Sequence, residues 1–181
     1  MPATINDQTV YISTGNPETF YNQSSLYKPG ELGKKFTHTD GKRYQIVQVD
    51  TAVSATYSST VANGLVYWSH RTLYQVVPTE TDSANLALLA GVAGRSPGIS
   101  AKGTYFAMQI GGLATLVYGG TNTAGAVGGA VIGKATTLSD ADAVTAGTAP
   151  TSKVVGWITV AGTTTNATVG CYMCLDDGEV G

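Results

Sequence analysis

The sequence predicts an all-β protein, an antiparallel β-sandwich or partly closed barrel behind an extended, irregular N-terminal arm. Three observations carry this expectation. From position 91 onward Gly recurs every few residues between β-branched and aromatic runs. Charged residues are 12% of the chain and hydrophobic ones 43%, which excludes a disordered polymer and suits short strands joined by small-residue turns. Only one short segment, residues 84–90, offers a helix.

The 181 residues divide into an arm, 1–38, and one β-rich body, 39–181. The arm is polar and turn-rich, as in "GNPETFYNQSS" and "YKPGELGKK", and sustains no period of 2 or 3.6. It nevertheless carries Tyr11, Phe20, Tyr21, Tyr27 and Phe36. That is more aromatic surface than a solvated tail needs. The arm therefore docks, either on its own body or on a neighbour, and these five aromatics are its candidate contacts.

The body opens with "TDGKRYQIVQVD", an Asp-Gly turn running into a strand. Tyr44 and Ile46 share one face and Val47 and Val49 the other, which predicts a bulge near Ile46 or Val47. "LVYWSHRTLYQVV", 65–77, is the longest predicted strand, with Val66, Trp68, His70, Thr72, Tyr74 and Val76 on one face. His70 then lies among aromatics as a structural, hydrogen-bonded residue. In "PTETDSANLALLAGVAG", Asp82 or Ser83 is placed to cap a helix over 84–90 and Gly91 to stop it. A buried strand fits the same run, because periodicity does not decide at that length.

Five strands follow, at 103–110, 113–118, 126–132, 153–161 and 166–175. "SAKGTYFAMQIGGLATLV" and "TSKVVGWITVAGTTTNATV" share a Ser/Lys lead-in, a mid-strand aromatic, a Gly turn and a Thr/Val strand. They read as one hairpin used twice, or as paired sides of a sandwich. Thr104, Phe106, Met108 and Ile110 make one face of the first. Val154, Ile158 and Val160 make one face of the second, with Trp157 opposite.

The chemistry sought in these residues fails on specific grounds. "GGAVIGKA", 128–135, fits G-x-x-x-x-G-K, but Ala135 stands where a P-loop needs a magnesium-binding hydroxyl, and β-branched residues follow where a helix must start. It reads as a Gly-rich strand and turn. Cys171 and Cys174 form "CYMC", yet a strand sends i and i+3 to opposite faces, and His38 and His70 stand alone. The two read as ordinary strand cysteines, and no metal or cofactor is expected. No EF-hand spacing occurs. With a net charge of −2 and no basic stripe, direct nucleic-acid binding is not expected. "MPATINDQTV" has no basic-then-apolar leader, and the longest apolar run, 86–94, is too short to span a bilayer, so neither secretion nor a membrane is expected. "NQS" at Asn22 and "NAT" at Asn166 then match the glycosylation pattern by chance.

Residues 85–175, in the order "LLAGVAGRSPGISAKGTYFAMQIGG", a Gly/Thr/Ala stretch, then "KVVGWITVAGTTTNATVGCYMCL", resemble head decoration (cement-type) proteins of tailed bacteriophages. "ELGKKFTHTDGKRYQIVQVD" resembles their opening strand. The resemblance implies a β-rich, non-enzymatic virion protein. It would bind the major capsid protein on the outer shell, often as a homotrimer, bridge neighbouring capsomers and carry no catalytic residues. The arm aromatics then become candidate capsid or subunit contacts. It would be made in the host cytoplasm and end on the capsid surface. The low charge suits a surface shared with neighbours. A tail-fibre or receptor-binding module fits the composition too, with Trp68 or Trp157 as sugar-stacking residues. A small hydrolase would need His38 or His70 beside Ser or Asp in a pocket.

Overall fold

The computed structural model describes residues 32–51, 63–77, 88–93, 103, 105–118, 126–133, 141–144, 150, 153–161 and 168–175. They form ten strands: β1 (Lys35–Thr37), β2 (Arg43–Val49), β3 (Leu65–His70), β4 (Gln75–Val77), β5 (Leu89–Ala93), β6 (Tyr105–Val117), β7 (Ala130–Gly133), β8 (Ala141–Ala143), β9 (Val154–Val160) and β10 (Thr168–Cys174). No α-helix occurs among the described residues. The protein is all-β, as its sequence predicts.

Five strands close into a barrel. β2 pairs with β4 in parallel, β4 with β3, β3 with β5 and β5 with β6 antiparallel, and β6 returns to β2 antiparallel. Closure removes two edges that an open sandwich would have to protect. Each strand supplies an inward residue: Val47, Val76, Val66, Ala90 and, from β6, Phe106 and Met108. The opposite faces of β3 and β5 are buried as well. Leu65, Tyr67, Leu89 and Val92 join a second core with Leu116, Val131, Val155, Ile158, Val169 and Cys171. This explains why "LVYW" and "LAGVA" read as unbroken apolar runs rather than alternations.

The second core is covered by a sheet in the order β6-β10-β9-β7-β8. Tyr118, just past β6, bridges Ala141 of β8, so this sheet curls back towards its own start. β6 is the common strand of both halves. Its first part pairs with β2 and β5, and its second part, Gly111–Val117, pairs with β10.

Several local expectations are corrected. The predicted Gly turn between 103–110 and 113–118 is a bend inside one strand of 13 residues. Gly112 has φ +82, and a Cβ there would lie 2.8 Å from the Gly41 carbonyl oxygen, so only Gly fits. The first of the two similar runs is therefore one bent strand, while the second is the β9/β10 pair, and the repeated-hairpin reading fails. The predicted strand 65–77 is a hairpin instead. A 3-10 turn at Arg71–Leu73 and Tyr74 at φ 52 join β3 to β4, and His70 lies beside Gln75 at its end. The predicted helix over 84–90 gives way to β5 from Leu89, while 84–87 lie outside the described residues. Gly91 stops nothing. It lets β6 cross closely, since a Cβ would meet Met108 Cγ at 2.5 Å and the Gln109 carbonyl at 2.6 Å.

In β2 the alternation is regular, with both faces buried, and the register shift against β6 lies at Arg43/Tyr44 rather than at Ile46/Val47. The Asp-Gly turn forms as read, with the Gly41 amide donating to the His38 carbonyl. The arm drawn over 1–38 ends inside the body. β1 pairs with β2, and the Phe36 ring stacks on Tyr44 at 5.4 Å beside Ile46 and Ala107.

Candidate interaction face

The outer surface of the β6–β10–β9 sheet carries the most distinctive feature of the described residues. Tyr172 of β10 lies directly opposite Leu113 of β6 on one side and Trp157 of β9 on the other. Directly paired residues share a face, so the three form one row across three strands. Ala130 of β7, opposite Trp157, extends it. Leu113 is 58% exposed, Tyr172 55% and Trp157 50%. Such exposure for two large aromatics and a Leu in one row differs from the scattered single apolar residues of an ordinary surface.

The reason lies in the alternation of β10. Val169, Cys171 and Met173 point into the core, and Thr168, Tyr172 and Cys174 point out. A register shift between β9 and β10 at Gly170/Cys171 crowds Thr159 and Val160 over Gly170, where a Cβ would meet Thr159 Oγ1 at 3.1 Å and Val160 Cβ at 2.9 Å. The exposed Val160 and Thr159 thus adjoin the row. The expected face of Val154, Ile158 and Val160 is corrected: Val155 and Ile158 are buried and Val160 is 63% exposed, because β9 carries a register shift on each side.

The bend that swings β6 onto this sheet is braced from within. Buried Gln109 donates from Nε2 to the Gly111 carbonyl at 3.2 Å and to the Leu113 carbonyl at 2.9 Å. The backbone that presents Leu113 is thus fixed by a side chain two turns of the pleat away.

Of the arm aromatics, Tyr11, Phe20, Tyr21 and Tyr27 lie outside the described residues, and Phe36 is buried within its own body. The histidines do not meet. His38 sits in the β1–β2 turn with Nδ1 3.0 Å from Asp40 Oδ1. Burial pushes the Asp40 carboxyl up, but the Lys42 amide, His38 and the Lys42 charge outweigh it and hold it below its ordinary value. His70 is not enclosed. It is 57% exposed, with Nε2 3.9 Å from Asp50 Oδ2 at one end of the barrel. Trp68 is half-buried and packs against the barrel core.

The cysteines behave as strand alternation requires: Cys171 is buried and Cys174 exposed. Burial, and then the neighbouring Cys174, push the Cys171 thiol up to about 12. Gly128, at φ +87, turns the chain into strand β7, so no helix follows the "GGAVIGKA" glycines over 130–133. Among the described residues no three His, Cys, Asp or Glu side chains gather as a metal site.

Sequence reasoning marked Trp157 as set apart but missed its row. Tyr172 was hidden inside "CYMC", a motif read for its cysteines. Its signal was available: a strand that sends Val169, Cys171 and Met173 inward must send Tyr172 outward. Leu113 was masked by the false turn at Gly111–Gly112. Comparison of the chain with protein-family models, curated proteins and solved structures gave no match.

Proposed function

We propose that this chain is a non-enzymatic virion structural protein that binds the outside of a tailed-phage capsid and stabilises the shell by bridging neighbouring capsomers. The observation that carries this reading is the exposed Leu113–Tyr172–Trp157 row on a sheet whose other face is a sealed core. A rigid block holding apolar surface out to water has contact area as its output. Trp and Tyr are the residues on which interface energy concentrates. The resemblance of residues 85–175 to head decoration proteins supplies the partner, the major capsid protein, and the location, the capsid surface reached from the host cytoplasm.

Such a protein acts by mass action. It binds the assembled shell better than free subunits and so shifts the shell towards its assembled state. Many copies on one lattice add avidity, so each contact can be weak. The test is co-sedimentation of the purified chain with emptied, expanded heads. Saturable binding at a fixed ratio to the major capsid protein is the expected result.

A second reading, a tail-fibre or receptor-binding module, draws on the same two aromatics. Trp157 and Tyr172, side by side and half exposed, offer ring faces on which a sugar can stack. A glycan screen with the wild-type chain and Trp157→Ala separates the two readings.

A further inference from the structure

We propose that the outer face of the β6–β10–β9 sheet is a self-association surface, on which a second copy of this chain seats around a two-fold axis running along β10 through Tyr172. The same row carries the capsid-binding reading above, so a second copy would compete with the shell for it, and self-association is tested with no shell present.

Charge is the first argument for a second copy as the occupant. The chain carries 10 basic and 12 acidic side chains. Yet the described outward positions of these three strands are Leu113, Thr115, Trp157, Thr159, Val160, Thr168, Tyr172 and Cys174, with not one charge among them, and Arg43, whose side chain lies over Gly111, stands at the rim. A partner with a charged surface would have its ions desolvated without compensation here. The partner surface must be uncharged and apolar at its centre, and this face meets that description itself.

Geometry is the second argument. Leu113 and Trp157 flank Tyr172 on the two neighbouring strands, each about 4.8 Å from it across the sheet. Rotation by half a turn about an axis parallel to β10, lying between two facing sheets, carries Leu113 of one copy opposite Trp157 of the other. The same rotation carries Trp157 opposite Leu113 and brings the two Tyr172 rings together at the axis. Large therefore meets smaller on both sides, as an isologous contact requires. The six ring-bearing and aliphatic side chains of such a pair form one apolar strip. The sheets would face each other about 10 Å apart, the ordinary spacing of stacked sheets.

Area sets the strength. Three strands about 4.8 Å apart, by five residues about 3.3 Å apart, give on the order of 240 Å² of plane per copy. That lies well below the roughly 800 Å² per partner of a standard stable interface. The pair is thus a weak, concentration-dependent dimer. It differs from the trimer implied by the resemblance, and the two are told apart by mass.

The test is sedimentation equilibrium of the full chain from about 5 μM to about 1 mM, which spans weak association constants. Wild type is compared with Leu113→Lys, Trp157→Glu and the double variant, with circular dichroism to check that each is folded. Both positions are at least half exposed, so folding survives the changes. The expected result is a monomer–dimer equilibrium in wild type, weakened at least about ten-fold in each single variant. In the double variant it is restored, because the lysine introduced into β6 of each copy then faces the glutamate introduced into β9 of the other. Within one chain these two positions are two strands apart and do not pair. A wild-type monomer at every concentration would overturn the proposal. So would a trimer, or single variants that associate like wild type. Failure of the double variant to recover would overturn the two-fold register.

Discussion

Gln109 donates a hydrogen bond from its side-chain amide to the backbone carbonyl of Leu113, 2.9 Å away, across the bend where β6 leaves the barrel. The same amide serves Gly111. One buried side chain thus holds the backbone that presents the exposed row. Gln109→Leu keeps the volume but removes the donor from two carbonyls. We expect it to cost about 1–3 kcal/mol in urea unfolding. An equal stability in wild type and variant would show that water replaces the amide at no cost.

Gly112 and Gly41 make an internal control for the bend. Both have φ near +81 to +82, but a Cβ at Gly112 meets the Gly41 carbonyl while a Cβ at Gly41 meets nothing within 4 Å. Gly41→Ala should cost only the left-handed backbone penalty, about 1 kcal/mol. Gly112→Ala should cost clearly more, because it adds a clash between two backbones. Thermal melts of the two variants, run side by side, decide this. Equal melting temperatures would mean that β6 is free to shift.

The thiols give a pH prediction. Cys171 has its pKa raised to about 12 from an ordinary value of 9.0. Between those values the folded chain holds a proton that the unfolded chain has lost, so stability falls as pH rises. The contribution is fully present below pH 9.0 and is lost on the way to 12. Cys171→Val, which keeps an apolar group in the core, should flatten the alkaline limb of the stability curve. In the native protein at about pH 8, below the ordinary thiol range, a thiol reagent should modify Cys174 alone, and both cysteines in denaturant. Rapid modification of both in the native state would contradict the burial of Cys171.

How much of this could be read in the sequence follows the physics of each signal. The all-β class, the Asp-Gly turn before β2, the strand after Gly128 and the opposite orientation of the two cysteines rest on local backbone rules, and they hold. The errors arise where local pattern is degenerate. Residues 65–77 keep a period of 2 through His70, Thr72 and Tyr74, so nothing local shows that Tyr74 takes a left-handed conformation and turns the chain. Leu89 and Ala90 suit a helix as well as a doubly buried strand, and only β3 and β6 on either side decide it. Gly111–Gly112 looks like a turn because the reason for the second glycine, the Gly41 carbonyl, lies some seventy residues away in sequence. The row at Leu113, Tyr172 and Trp157 is a fact of register between three strands, which a single sequence does not carry.

The start of the body yields a further prediction. Phe36 is buried with Tyr44, Ile46 and Ala107, and the Gly33 amide donates to the Ile46 carbonyl. Removing residues 1–31 should leave a folded body with wild-type stability that binds the shell more weakly, because the exposed row of the body remains and the arm contacts are lost. Phe36→Ala in the full chain should lose about 3 kcal/mol, as for other buried aromatics. If the truncated protein still occupies capsids fully, the arm is not the capsid contact.

The central claim is attachment to an assembled shell. Co-sedimentation of the full chain with emptied, expanded phage heads tests it most directly, with total protein raised until the bound amount stops rising. The account predicts a plateau at a fixed ratio to the major capsid protein, and a lower plateau or weaker binding for Trp157→Glu. A chain that stays in the supernatant at every concentration would contradict it.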